Sequence, residues 1–424
     1  MSRTLTLLVT ILIICLIVAT LGGLLWGNMR YVRTYPLEKD FLIPWLGART
    51  FLEYGDSPYE TPATQRAQIV YYGRLAAEGQ DPLILSLPLP VELFYFPFAL
   101  IKDYALARSI WMLCLEIALI ASGYLSIQLF NRKPGRFLFP IILFFPLVWV
   151  YGAFAVISGN ATGFVTLALA GFLLAMREEL DELAGGLLVI LVCAVRITGV
   201  LSIFAFFWII YQRRSRVLWG FLMILAILLG LSFLFLPNWF LPFVRGVISQ
   251  LTYNSRPSSI GIFASWSPVA GQRLGWVLSA CLVAVLFFEW GRCFKKDFRT
   301  ILWTASLSLA VTPLLGIPML PRECPFLFIP VLLLMAILAE RRSWLKRWGV
   351  AIILLVFILA GAWLMTFDLT RANADPVLTN ILLLLVPAIL VIGLLWTRWW
   401  FLHSAPTGLE EPLVSGNDSF GGYA

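Results

Sequence analysis

The feature that most constrains this chain is a recurrence of apolar runs, about 15–22 residues each, separated by short polar punctuation. As an α-helix, a run of roughly 20 residues covers the hydrocarbon of a bilayer, and in lipid only helices and closed barrels satisfy every backbone N–H and C=O. The runs predict spans at 5–27, 105–130, 137–156, 161–176, 183–196, 199–212, 217–236, 270–291, 301–317, 325–340, 349–367 and 377–397. The expected architecture is an all-α polytopic membrane protein of about twelve transmembrane helices. Runs 183–196 and 199–212 are short for full spans and read as a broken pair meeting near Arg196. Residues 5–27 are long for a signal-peptide core and lack a small-x-small cleavage site before Met29, so they are expected to be the first transmembrane helix.

Composition excludes a set of soluble domains. Hydrophobic residues make up 60% and charged residues 13%, against roughly 45–50% and about 25% in soluble domains. Too few charges exist to clothe a water-facing surface. The net charge of +8 sits between the apolar runs, where it reads as topology signal and lipid-headgroup contact and not as a nucleic-acid surface. With the N-terminus inside, the short segments 131–136, 177–182, 213–216, 292–299 and 340–347 are cytoplasmic, all basic except 177–182, whose four acids count little in the positive-inside rule, and the long segments 28–104, 237–269 and 368–376 lie outside. A multi-pass protein of the plasma membrane follows. Its segments are a first transmembrane helix (1–27), an extracytoplasmic loop (28–104), a multi-spanning domain (105–400) and a disordered cytoplasmic tail (401–424).

Loop 28–104 is too long for a connector and too apolar for a linker. Short interfacial helices are expected at 45–54 and 61–78, while 83–100 is apolar but broken by Pro88, Pro90 and Pro97 and should lie in the interface or re-enter. The six cysteines are scattered, and His403 is the only histidine. No metal site, disulfide framework or histidine-based dyad is expected, and no cofactor. Neither an Asp-x-Asp pair nor a glycine-rich phosphate loop occurs, so direct nucleotide use is not expected.

A few polar groups stand out against this background. Asp40, in Glu38-Lys39-Asp40-Phe41 with Trp45 nearby, puts a carboxylate shortly after the first helix, where it serves either as a general base or as a solvated loop acid. Asp56, in Gly55-Asp56-Ser57-Pro58, has turn chemistry. Arginine forks suit phosphate oxygens, and Arg196, Arg256 (after Tyr253-Asn254-Ser255) and Arg322 all fall on the extracytoplasmic side of the expected topology. Each has a plain alternative: Arg196 snorkels or is ion-paired, and Arg322 pairs with the adjacent Glu323. Glu116, inside the second run, reads as hydrogen-bonded to a neighbouring helix, and the acids of 178–182 read as a solvated face.

Asp40-Phe41, Trp45-x-x-Ala48-Arg49 and Gly55-Asp56-x-Pro58-Tyr59 together resemble the first extracytoplasmic loop of glycosyltransferase family 87, a family of polyprenyl-phosphate-sugar-dependent membrane transferases that includes mannosyltransferases. Phe94-Tyr95-Phe96-Pro97 looks like the family's Tyr-Pro-Pro segment, with Phe96 replacing the first Pro. Ser158-Gly159-Asn160 is similar to its Gly-Gln-x-Asn turn, with Asn160 where Gln is usual. Ala194-Val195-Arg196 resembles its Lys-Pro step, with Arg196 replacing Lys. The resemblance spans roughly residues 30–345. It implies a fold of the GT-C type and Asp40 as general base, with Asp56, Tyr59, Tyr95, Asn160 and Asn254 as pocket candidates and Arg196, Arg256 and Arg322 as donor-phosphate ligands. The implied reaction is inverting transfer of a hexose-type sugar, mannose-like favoured, from a polyprenyl-phosphate donor to a lipid or glycan acceptor outside the cytoplasm, without metal. Two other readings are a secondary transporter and a ligase or polymerase of lipid-linked glycans. The long first loop and the lack of a two-half repeat speak against the transporter.

Overall fold

A computed structural model of the chain describes residues 3–130, 134–253, 257–294, 296–341, 349–370 and 380–403. Asn254, Arg256, the tail from residue 404 and most of segments 341–347 and 368–376 lie outside them. Helix accounts for 82% of the structure, with no strand among the described residues, so the class is all-α. In chain order the helices are α1 (Arg3–Thr34), α2 (Lys39–Tyr54), α3 (Thr61–Tyr72), α4 (Leu89–Glu92), α5 (Phe96–Ala99), α6 (Tyr104–Leu129), α7 (Leu138–Val148), α8 (Val150–Ser158), α9 (Thr162–Arg177) and α10 (Asp181–Cys193). They continue with α11 (Val195–Tyr211), α12 (Ser215–Phe235), α13 (Phe240–Tyr253), α14 (Ser259–Trp266), α15 (Ala270–Cys293), α16 (Phe298–Val311), α17 (Phe328–Arg341), α18 (Val350–Thr370) and α19 (Val386–His403).

Among the described residues, five helical stretches are long and apolar enough to cross a bilayer, in α1, α6, α12, α15 and α19, and the bent pair α7–α8 makes a sixth. The expectation was about twelve. The apolar runs around α9, α11 and α17 fold into helices of 14–17 residues, below the roughly 20 that a full span needs. The expected break near Arg196 falls at Ala194, which leaves helical geometry between α10 and α11. Pro146 contributes to the 47° bend between α7 and α8 by withholding an N–H from the helical ladder.

The chain divides into two compact units. The first holds residues 1–117, 156–160 and 230–254. The N-terminal part of its α1, up to Gly23, is exposed, with Leu12, Leu16 and Val18 each more than 60% exposed, which for an all-round apolar helix is a lipid-facing surface. Segment 28–104 is compact. Its first short helix starts at Lys39, six residues before the expected start, because buried Phe41, Leu42, Trp45 and Ala48 anchor it through Pro44. Helix α3 stops at Tyr72, short of the expected 78, where Gly73 takes a left-handed conformation (φ +71°). Residues 83–100 form no single helix: an extended stretch leads into α4, one 3₁₀ turn and α5, broken at the prolines as expected.

The second unit holds residues 118–155, 161–229 and 255–424. Helix α16 lies at its centre, and every residue from Ile301 to Val311 is buried. Its Thr304 and Ser308 hydroxyls return to backbone carbonyls one turn back at 2.9 Å each, which satisfies polar groups where water has no access. Trp303 donates to the Leu394 carbonyl of α19 (3.2 Å), and Trp290 of α15 donates to Ser308 (3.0 Å). Ion pairs Arg398–Glu289 (2.9 Å) and Arg299–Glu340 (3.1 Å) tie the same helices together. The acids of 178–182 include two that are ion-paired, Glu178 with Arg177 and Asp181 with Arg214, where an open solvated face was expected.

Candidate active site

The site in the first unit is built on α2. Asp40 occupies its first turn, a position where the helix projects unpaired N–H groups and acidic side chains are favoured. The half-buried carboxylate accepts a hydrogen bond from the Asn160 side chain, Nδ2 to Oδ2, at 2.7 Å. An ionised carboxylate only accepts, so the amide nitrogen of Asn160 must face it. This bond fixes the orientation of one carboxylate oxygen. Two of the residues singled out from sequence, 120 positions apart, are thus brought into contact.

Local backbone chemistry makes that contact possible. The turn after α8 passes through Gly159 at φ +69°, and a Cβ there would stand 2.9 Å from the Cβ of Phe41. Only glycine allows both the left-handed turn and this close approach to α2. The next residue, Asn160, is thereby delivered beside Asp40. Trp111 of α6 donates its indole N–H to the Gly159 carbonyl at 2.9 Å and stacks on Tyr95 with centroids 4.4 Å apart. Phe41 lies against both rings, at 6.1 Å from Tyr95 and 5.6 Å from Trp111.

Tyr95 is 1% exposed. Burial, then the nearby Glu92 and Asp40 charges, push its phenol well above the ordinary tyrosine value, so it is a neutral hydrogen-bond donor and not an anionic base. Tyr59 is likewise raised by burial and Glu92, and it donates to the Leu87 carbonyl at 2.8 Å. Glu92 is wholly buried, and neither of its oxygens meets a donor in full hydrogen-bond geometry. Burial raises its carboxyl well above the usual glutamate range, and the Ala48 backbone amide offsets only part of that. It packs where a Cβ on Gly47 would sit 3.2 Å from its Oε1. Asp56 faces Arg66 at 3.3 Å beyond the Gly55 end of α2.

In the second unit, the first turn of α11 carries Arg196 and a 3₁₀ turn carries Pro321–Glu323. Arg196 Nη2 donates to Glu323 Oε1 at 2.7 Å, while Oε2 accepts the Leu320 backbone N–H at 2.9 Å. The sequence left Arg322 as either a phosphate ligand or a partner of Glu323. The structure puts Arg196 on Glu323, and the tight turn folds the Glu323 side chain back over its own backbone and buries it, at 2% exposure. The Arg196 side chain is 38% exposed, against 2% for Glu323. Asn254 and Arg256 lie outside the described residues.

Sequence reasoning passed over Arg108 and Trp111, both buried in α6. The available signal was an arginine set four residues into an apolar run, a placement that is costly without partners.

Comparison with known proteins agrees with the fold class and narrows the activity. No curated protein and no solved structure matches the chain. The family model for glycosyltransferase family 87 matches residues 88–318. That stretch contains Glu92, Tyr95, Asn160 and Arg196 and excludes Asp40, Asp56, Tyr59 and Arg322. The match covers more than half of a chain built of bilayer-length apolar helices, and the protein belongs to glycosyltransferase family 87, the membrane glycosyltransferases.

Proposed function

We propose that the protein is an inverting hexosyltransferase, acting on the extracytoplasmic side, that takes a sugar from a polyprenyl-phosphate donor and passes it to a lipid or glycan acceptor, with mannose-like sugars favoured. The observation that carries this reading is the oriented carboxylate of Asp40, held by Asn160 at 2.7 Å in the loop that follows the first apolar helix. In the proposed step Asp40 takes the acceptor hydroxyl proton as that oxygen attacks the anomeric carbon. The bond from that carbon to the phosphate oxygen breaks, and the polyprenyl phosphate leaves with the electron pair. Arg196 and Arg322 are the candidate partners for the leaving phosphate, because a guanidinium presents forked donors to its oxygens. Tyr95, as a buried neutral donor near Asp40, would line the acceptor side.

The test is transfer by purified protein with a panel of polyprenyl-phosphate sugars and membrane lipid extract. New glycolipid is expected with a monophosphate donor. Turnover with a nucleotide sugar alone, after the endogenous lipid carrier is stripped, would overturn the donor assignment, and strict dependence on a pyrophosphate lipid would move the protein to the ligase or polymerase class.

A further inference from the structure

We infer that Arg108 is a positioning residue of the transferase reaction: it sets the distance between Asp40 and Asn160 without touching substrate. The inference rests on the assignment of Asp40 as base. Arg108 is fully buried in the first turns of α6, and its guanidinium is spent on backbone carbonyls. Nη1 donates to Tyr35 (2.7 Å) and Pro36 (3.1 Å), and Nη2 donates to Ile157 (2.7 Å). The first two acceptors lie where α1 ends and the chain turns into α2, four and five residues before Asp40. The third lies in the last turn of α8, three residues before Asn160. One rigid, planar cation therefore clamps the two strands of chain that carry the two members of the pair.

The neighbours of Arg108 on the same helix face repeat the pattern. Tyr104, one turn earlier, packs on Phe41 at 5.9 Å and on Trp45 at 5.2 Å, both on α2. Trp111, one turn later, holds the Gly159 carbonyl and lies on Phe41. Residues 104, 108 and 111 form one stripe of α6, which grips α2 on one side and the Gly159 turn on the other. The acceptors of its guanidinium are the carbonyls that flank Asp40 and Asn160 in the chain.

The test compares Arg108→Lys, Trp111→Phe, Asn160→Ala and the double variants Arg108→Lys/Asn160→Ala and Trp111→Phe/Asn160→Ala, with kcat and donor KM measured on folded, monodisperse protein. Lysine keeps the charge but cannot reach three carbonyls, and phenylalanine keeps the stacking but loses the indole donor. Misplacement by about 1 Å costs on the order of 10²-fold in rate, so kcat should fall roughly 10- to 100-fold in either single variant, with donor KM little changed. Each double variant should be no slower than the slower of its two single variants, because both changes break the same alignment. An unchanged kcat, or losses that multiply in the double variants, would overturn the inference. Should Arg108→Lys fail to fold, the Trp111→Phe pair decides by the same criteria. Failure of the underlying assignment shows separately, as an Asp40→Asn variant that keeps the wild-type rate.

Discussion

Asp40, Gly159 and Glu92 each expose a different physical constraint on the site. If Asp40 is the base, Asp40→Asn keeps its size and loses the proton acceptor, and initial transfer at saturating donor should fall by about 10²–10⁴-fold. Asp56→Asn, by contrast, removes a partner of Arg66 at the turn and should leave the rate within severalfold of wild type. Gly159→Ala places a side chain at φ +69° and against Phe41. A non-glycine residue held in a sparsely populated backbone region costs on the order of 1–3 kcal/mol, so thermal unfolding in detergent should move to lower temperature and transfer should fall with it. Glu92 makes a pH prediction. Burial raises its folded-state pKa well above the ordinary 4.5, so the folded protein holds the proton more tightly than the unfolded chain. Its contribution is fully present below about pH 4.5 and is lost as pH rises through the folded value. Unfolding free energy measured from pH 5 upward should decline more steeply for wild type than for Glu92→Gln, and equal slopes would rule out titration of Glu92.

At the scale of elements, the turn carrying Glu323 and the first turn of α11 show why a candidate ligand cannot be judged from one deletion. Removing Arg196 takes a charged hydrogen-bond partner from a buried carboxylate whose other oxygen is already committed to the Leu320 amide. An uncompensated buried group costs roughly 1–3 kcal/mol, and more when charged. Arg196→Ala should therefore destabilise the protein as well as raise donor KM. Adding Glu323→Gln should restore most of the stability, since the stranded group is then neutral, but should leave donor KM high if Arg196 meets the phosphate. Donor KM returning to the wild-type value in the double variant would show that the arginine acts only through its ion pair. Helix α2 shows a related economy. Pro44 has no N–H to give the Asp40 carbonyl, yet the helix continues through it because one face is buried against the aromatic cluster of Phe41, Tyr95, Tyr104 and Trp111.

For the whole molecule, the charge bias between apolar runs makes a topological prediction. In a cysteine-free variant, single cysteines at Gln80 and Ser215 should label from opposite sides of the membrane, with Gln80 outside. Labelling of both from one side would invert or refute the expected arrangement. The exposure of Leu, Ile, Phe and Trp along α1, α12 and α15 fits lipid contact over these helices, because a water-soluble surface with so many large apolar side chains would aggregate.

The apolar runs by themselves determined the all-α membrane class, because burial in lipid leaves a chain of this composition no other way to pair its backbone; two helices within the expected connecting segment 237–269 were not legible in them. Short motifs likewise carried the family and pointed to Asp40, Asn160 and Arg196, since polar groups in an apolar chain are few and each needs a reason. Tertiary structure alone decided which of these residues meet. The Asp40–Asn160 contact joins positions 120 apart through a left-handed glycine and an arginine clamp, and Arg196 reaches Glu323 across 127 positions. It also decided helix lengths, and with them which apolar runs become the five or six bilayer-length stretches among the described residues. Hydropathy averages over a window and records how apolar a segment is. Where the helix breaks, and which side chain lies across from which, depends on packing between segments that are distant in the chain.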